Sequence, residues 1–198
     1  MKTLCLVVAG ILLLSIGAAA QNPITNDSPY QLNYYSNRNN SAGADQILRI
    51  VNDGVTGSPI SGNEGRLCAN IYVFDAAQEM IECCHCVITA NGMRTLSVLK
   101  DLTQNPLTGF PAPDNGVIKI LGTVANGCSE SSPTALSAGL LAWQTHVEQP
   151  TNGTFVTSVT QYGDGTLSAS EFSFLGEACS FVQYLGSGKG VCGCGTGS

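Results

Sequence analysis

Eight cysteines follow residue 20, and five of them fall in two short clusters, "CCHC" at 83–86 and "CGC" at 192–194. An even number of cysteines in an exported chain is typical of paired thiols, because an oxidising compartment converts them to disulfides. We therefore predict a framework that uses all eight: Cys68, Cys83, Cys84, Cys86, Cys128, Cys179, Cys192 and Cys194. The sequence alone leaves the connectivity open.

The first twenty residues predict export. Lys2 precedes an apolar run, "LCLVVAGILLLSIG", and the small residues "AAA" precede Gln21, which is the pattern of a secretory signal peptide. The run is shorter than the roughly 20 residues that span a bilayer. We expect cleavage after Ala20, which removes Cys5, and a mature chain that is secreted or extracellular, in the periplasm or at a cell surface, with no membrane contact.

Residues 21–44 differ from the rest of the chain. They are rich in Asn and Ser with almost no aliphatic periodicity, which is typical of a flexible arm. Tyr30, Leu32 and Tyr34 recur at period two, so the alternative is a strand that adds to another surface, either a second copy or another surface protein. Residues 45–198 are expected to form a single domain.

Alternating apolar residues predict strands in "QILRIVND", "LCANIYVFD", "EMIECCHCVI", "MRTLSVL", "GVIKILGTV", "LLAWQTHVEQ" and "TFVTSVTQ". A tight turn pairing Asp75 near Gln78 would place Cys68 across from residues 83–85. Strand parity then puts Cys68 and Cys83 on one face, with Cys84 and Cys86 on the other. The "NG" at 91–92 is a hairpin signal. The fold class is mainly β, an antiparallel β-sandwich-like domain stapled by disulfides.

The end of the domain predicts one helix, at about 169–184. Ser168 and Glu171 have the spacing of a capping box. An apolar stripe then recurs at three- and four-residue intervals, formed by Phe172, Leu175, Cys179 and Val182. Gly186 can take the left-handed conformation that ends a helix.

The two cysteine clusters also have a metal-binding or thiol-redox interpretation. A zinc site usually has C-x2-C spacing and needs reduced thiolates, and a redox dithiol usually has C-x-x-C at a helix start. The Cys83–Cys86 and Cys192–Cys194 clusters have neither spacing, so we predict no metal site and no cofactor and interpret His85 as a partly exposed strand residue. A disulfide ladder from Cys84 and Cys86 to the C-terminal pair is feasible; Cys179 bonding to Cys192 or Cys194 is the alternative.

No catalytic residue is predicted. His85 and His146 are the candidate bases, and the chain has no G-x-S-x-G nucleophile motif. Glu79 and Glu82 are interpreted as solvated carboxylates near a turn rather than a glycosidase pair. With eight Lys and Arg in total, no basic cluster and a net charge of -6, nucleic acid is an unlikely partner class.

Aromatic residues raise a further alternative, a carbohydrate-binding module. Trp143 and the tyrosines could stack on sugars if they shared one concave face, although a lone Trp in an alternating strand favours the core. Asn26, Asn39 and Asn152 stand in N-x-[ST] sequons, and their use depends on the host.

The segments "LCANIYVFDAAQEMIECCHCVITANGMRTLSV" and "LSASEFSFLGEACSFVQYLGSGKGVCGCG" resemble a group of exported, cysteine-rich bacterial proteins of unknown role. The cysteine placements carry the resemblance, which covers most of the chain after residue 45. It implies an oxidised extracellular domain in a bacterium and brings no activity or catalytic residue.

The sequence therefore favours a non-catalytic extracellular structural or interaction module, such as a subunit of a surface filament or an adhesin. A carbohydrate-binding module and a metal or thiol-redox protein are the alternatives.

Overall fold

The computed structural model describes residues 28–38, 45–57, 65–104, 112–149, 153–186 and 194. They form nine strands and one α-helix: β1 Tyr30–Ser36, β2 Ile47–Asn52, β3 Leu67–Asp75, β4 Met80–Ile88, β5 Met93–Ser97, β6 Asn115–Val124, β7 Leu140–Glu148, β8 Val156–Gln161, β9 Gly163–Asp164 and α1 Ala169–Tyr184. A π-helical turn follows β5 at Val98–Thr103, and a 3₁₀ turn follows β6 at Ala125–Gly127.

Two antiparallel sheets build the domain. The five-stranded sheet has the order β4-β3-β6-β1-β9, and the four-stranded sheet has the order β5-β2-β7-β8. The largest buried cluster contains apolar side chains from both sheets, among them Leu48, Ile50, Leu67, Ile71, Ile118, Ile120 and Leu140. The predicted fold class, a mainly β sandwich-like domain with a C-terminal helix and disulfides, is confirmed.

The helix packs on the outer face of the five-stranded sheet. Ser168 accepts a hydrogen bond from the Glu171 backbone N–H at 3.1 Å, so the predicted N-cap is present. Leu175, Cys179 and Val182 are buried, as the apolar stripe predicts. Gly186 has φ +100°, the left-handed conformation expected just past a helix end. Within the described residues, no helix is long and apolar enough to cross a membrane.

Residues Tyr30–Ser36 form a strand where the sequence predicts a flexible arm. Tyr30–Ser36 pairs with β6 along its whole length and with β9 at Gln31 and Leu32. Tyr35 is fully buried between the sheets, where an aromatic side chain removes a large apolar area from water. A flexible arm is therefore the wrong interpretation for these residues; 21–27 and 39–44 lie outside the described residues.

The turn between β3 and β4 is longer than expected. The Asp75 N–H donates to the Glu79 carbonyl at 3.0 Å, and the register shifts at a bulge between Val73 and Phe74. Cys68 consequently lies opposite Val87, not opposite residues 83–85. This slip of two residues preserves parity, so the predicted division of the cysteines between the two faces still holds.

The Asn91-Gly92 pair is a turn between sheets, not a hairpin turn. Asn91 has φ +60°, as such a turn requires, and the Gly92 N–H donates to the Thr89 carbonyl at 2.8 Å. β4 before it belongs to the five-stranded sheet, whereas β5 after it pairs with β2 in the other sheet. The local turn signal is correct, but it does not decide which strand the chain pairs with next.

The buried face of β7 is opposite to the predicted one. Trp143 is only partly buried, on the outer face beside Leu141 and Thr145, so its expected place in the core is wrong. Gln144 and His146 are buried instead. The buried amide of Gln144 is satisfied locally, because it donates to Gln46 at 2.8 Å and accepts from the Tyr162 hydroxyl at 2.8 Å.

Candidate functional site

The cysteines of the 83–86 cluster are disulfide-bonded. Disulfides link Cys68 to Cys128, Cys83 to Cys179 and Cys86 to Cys194, with Cα–Cα distances of 5.4, 5.6 and 5.3 Å. Cys84 is also disulfide-bonded. These sulfurs are not thiolates that could bind a metal or exchange with a substrate, because both roles need a free sulfur.

Disulfides on the two faces of β4 connect this strand to different parts of the chain. Cys83 faces the helix and bonds to Cys179 on α1, so the expected alternative of Cys179 bonding to Cys192 or Cys194 is wrong. Cys86 faces the other sheet and bonds to Cys194, which is one rung of the predicted ladder to the C-terminal pair. Cys192 lies outside the described residues. Disulfides of this kind are typical of oxidising compartments.

His85 belongs to a polar contact between β4 and the end of the helix. As predicted, it is a partly exposed strand residue; its Nδ1 lies in hydrogen-bonding contact with Glu130, which also accepts from Gln183. The hydrogen bond to Glu130 raises the pKa of His85 above its usual value, against the opposing effect of burial. Burial acts to raise the pKa of Glu130, but its hydrogen bonds outweigh that effect, so this pKa is lowered. Glu130 therefore links His85 on β4 to Gln183 near the end of the helix.

His146 is the candidate that most resembles catalytic machinery. Its Nε2 lies 2.7 Å from the Thr160 hydroxyl, a distance suited to a base and a nucleophile. Its Nδ1 has no hydrogen-bond partner among the described residues, so the carboxylate that orients the base in a triad is missing. The side chain is 1% exposed, and burial lowers its pKa. This arrangement does not favour catalysis.

The acidic pair proposed from the sequence does not form one site. Glu79 is exposed at the turn, as expected, whereas Glu82 is fully buried on β4, so its interpretation as a solvated carboxylate is wrong. A fully buried carboxylate has no access to a substrate bond, so this pair does not flank one. The sequons Asn26, Asn39 and Asn152 lie outside the described residues. Within the described part of the chain, no group of three His, Cys, Asp or Glu residues is placed to hold a metal ion.

The tyrosines and Trp143 do not share a concave face. Tyr30, Tyr35, Tyr72 and Tyr162 are buried, and Trp143 lies on the outer face of the four-stranded sheet. Tyr34 is 49% exposed on β1, and Tyr184 is 88% exposed at the last residue of the helix. The aromatic surface predicted for sugar binding is therefore not present in that form.

Two surfaces remain that sequence reasoning missed. One is the free edge of β8, where every residue except Thr160 is exposed. The other is a groove on the outer face of the five-stranded sheet, between Phe174 and Tyr34. Strand order and register create both surfaces, so no local motif could have revealed them. No family model, curated protein or solved structure matches the chain.

Proposed function

We propose that this protein is a non-catalytic extracellular module that assembles with further copies of itself through the edge of β8, in the manner of a surface-filament or adhesin subunit. The open β8 edge carries the proposal. Export and bacterial origin rest on the leader sequence and on the resemblance described above, and the disulfides support an oxidising compartment.

The β8 edge lacks the usual protection of an exposed strand. It ends the four-stranded sheet and pairs with β7 alone among the described strands. Natural edge strands are commonly blocked by charges, prolines or bulges. No charged residue or proline occurs from Gly153 to Tyr162, and Val156 and Val159 are 49% and 65% exposed.

A second copy of the chain is the partner that fits this edge. Strand addition satisfies the outward backbone N–H and C=O groups, which side-chain docking cannot do. Since the edge is uncharged, two copies meet without repulsion there despite a net charge of -6 elsewhere on each chain. An antiparallel β8–β8 pair would close a dimer, whereas pairing of β8 with a different edge would propagate a filament.

The strand expected to add to a partner already has partners within the chain. In "YQLNYYSN", Tyr30–Ser36 pairs with β6 and β9. Strand addition through residues 30–32 would therefore require β1 to leave its own sheet. The β8 edge requires no such rearrangement, so we place the contact there.

Sedimentation of the mature protein over a range of concentrations tests this proposal. Wild type should form dimers or larger assemblies, and Val159→Lys should shift the population to monomers because a charge at the edge opposes strand addition. Val55→Lys is the matched control, since Val55 is 72% exposed in a loop. A wild type that stays monomeric, or an unchanged assembly of Val159→Lys, would contradict the proposal.

A further inference from the structure

One row of side chains on the outer face of the five-stranded sheet is covered at one end only: Phe74 is 5% exposed, whereas Tyr34 is 49% exposed. Phe74 on β3 and Tyr34 on β1 both pair with Val117 on β6, from opposite sides. The helix covers the neighbouring rows, where Tyr72 and Leu121 are fully buried. Beside the first turns of the helix, two adjoining pockets share Asp75, Gln78 and Val117 and form one continuous groove. The pocket next to the helix measures about 290 Å³.

An aromatic ring stands at each end of this groove. Phe174 is 46% exposed and stacks on Phe74, with ring centroids 6.0 Å apart. Tyr34 is 49% exposed and stacks on His146 at 4.2 Å. Each exposed ring is therefore held by another ring before any ligand arrives. Tyr34 and Phe74 are two strand spacings apart, about 10 Å.

The two cations that line the groove, Lys119 and Arg38, are already paired with carboxylates. Lys119 lies 2.6 Å from Glu171 and also sits over the Phe74 ring at 4.6 Å, and Arg38 lies 3.8 Å from Asp114. A cation that already has a carboxylate partner gives little net attraction to an anionic ligand. The groove therefore suits a ligand that is neutral and polar.

Gln78 lines both pockets and has an unusual backbone. Its φ of +71° places a long side chain in the left-handed region, which glycine or asparagine normally occupies. Within the described part of the chain, no residue hydrogen-bonds to its side-chain amide. Strain of this kind, kept at a groove, is a recurring mark of functional positions.

We propose that this groove binds a neutral oligosaccharide, with pyranose rings against Phe174 and Tyr34 and hydroxyl groups on Gln78 and Asp75. A disaccharide is comparable in length to the two strand spacings that separate Tyr34 from Phe74, the ring on which Phe174 stacks. An amide beside a carboxylate oxygen supplies a donor and acceptors for neighbouring hydroxyls. An extended peptide lying in the groove fits less well, because β3 and β6 have partner strands on both sides and their backbone groups are not open to strand addition.

Calorimetric titration with a panel of neutral disaccharides, cellobiose, maltose and N,N′-diacetylchitobiose, tests the groove. At least one should bind in the millimolar range or tighter. Phe174→Ala should weaken that binding about tenfold through loss of the aromatic contact. Phe181→Ala is the matched control: it removes a 63% exposed phenylalanine two turns along the same helix and should leave binding unchanged.

Gln78→Gly separates binding from folding. Glycine relieves the left-handed strain, so the melting temperature should not fall, yet the amide is gone and affinity should drop several-fold. Val159→Lys should bind like wild type, which distinguishes failure of the groove from failure of the β8 proposal. Absence of binding by every disaccharide, or equal affinity in Phe174→Ala and Phe181→Ala, would overturn the inference.

Discussion

Tyr34 of the five-stranded sheet stacks on His146 of the four-stranded sheet, with ring centroids 4.2 Å apart and planes inclined by 16°. The contact joins the two sheets on the side where β1 faces β7 and β8. Asn33 adds a hydrogen bond to Thr160 at 2.9 Å, and Thr160 also contacts His146. This side is held by polar and aromatic contacts, whereas the disulfides of β4 attach that strand to the helix and to Cys194. The stability of the contacts around His146 should therefore depend on pH.

We expect acid to weaken the domain through His146. Burial lowers its pKa below 6.5, so the unfolded chain binds more protons than the folded chain as the pH falls through that value. The contribution is fully present above pH 6.5 and is lost as the pH falls towards the lower folded pKa. Urea unfolding at several pH values should show a decline below pH 6.5 that is smaller in His146→Gln.

His85 should act in the opposite direction. Its pKa is raised by Glu130, so the contact stabilises most below pH 6.5 and weakens as the pH rises through the folded value. Because the side chain is partly exposed, the effect should be small. His85→Gln should flatten this high-pH loss and leave the acid decline in place. An acid decline that vanishes in His85→Gln and persists in His146→Gln would show that the two roles are assigned wrongly.

The disulfide pairing gives a second prediction. Protein without residues 1–20, purified without reductant, should show no free thiol under denaturing conditions, because we expect all eight cysteines after residue 20 to be paired. Peptide mapping should recover Cys68–Cys128, Cys83–Cys179 and Cys86–Cys194. Four or more free thiols together with stoichiometric zinc would restore the metal-binding alternative.

The Cys86–Cys194 bridge gives a third prediction. Truncation after Gly188 removes Cys194 and leaves Cys86, which is 1% exposed, without its partner. The loss should be about 2–5 kcal/mol, since the bridge closes a long loop of the unfolded chain. Because truncation also removes Cys192, Cys86→Ala combined with Cys194→Ala in the full chain should reproduce only the part of the loss that belongs to the Cys86–Cys194 bridge. A truncated protein that melts within a few degrees of the full chain would contradict the role given to this bridge.

Periodicity was enough to predict the elements that pack one apolar face. The helix was placed at about 169–184 from a cap and a stripe, and it spans Ala169–Tyr184. β1 was missed because its buried side chains include Gln31 and Tyr35 rather than an aliphatic row. Gln31 is held between the sheets by donating to the Leu140 carbonyl at 2.6 Å, a partner far away in sequence.

The same limit explains the error in β7. Leu141 and Trp143 alternate with Gln144 and His146, and apolar residues normally mark the buried face. Here the polar face is buried because each amide or imidazole meets a partner from another strand or loop. Such partners become neighbours only after the sheets stack, as do the residues of the groove between Phe174 and Tyr34.

A fourth prediction concerns the close approach at Gly116. A Cβ there would lie 1.9 Å from the Phe74 carbonyl oxygen and 2.8 Å from the Tyr35 ring. Neither neighbour can move aside, because one is backbone in the sheet and the other is fully buried. Gly116→Ala should destabilise by at least about 3 kcal/mol. Gly163→Ala on β9 is the control, since its Cβ meets nothing closer than 4.0 Å and should cost less than about 1 kcal/mol.

The last prediction concerns the buried amide network between the sheets. Gln144 connects Gln46 to Tyr162, and all three side chains are buried. Tyr162→Phe removes one donor and should cost about 1 kcal/mol. Gln144→Leu removes the acceptor of the Tyr162 hydroxyl and one of two donors to Gln46, which keeps the Ser36 N–H, and should cost about 2–5 kcal/mol. Combining the two should cost less than their sum, because the Tyr162 hydroxyl that Gln144→Leu leaves without an acceptor is then absent. Strictly additive losses in urea unfolding would show that the network does not act as a unit.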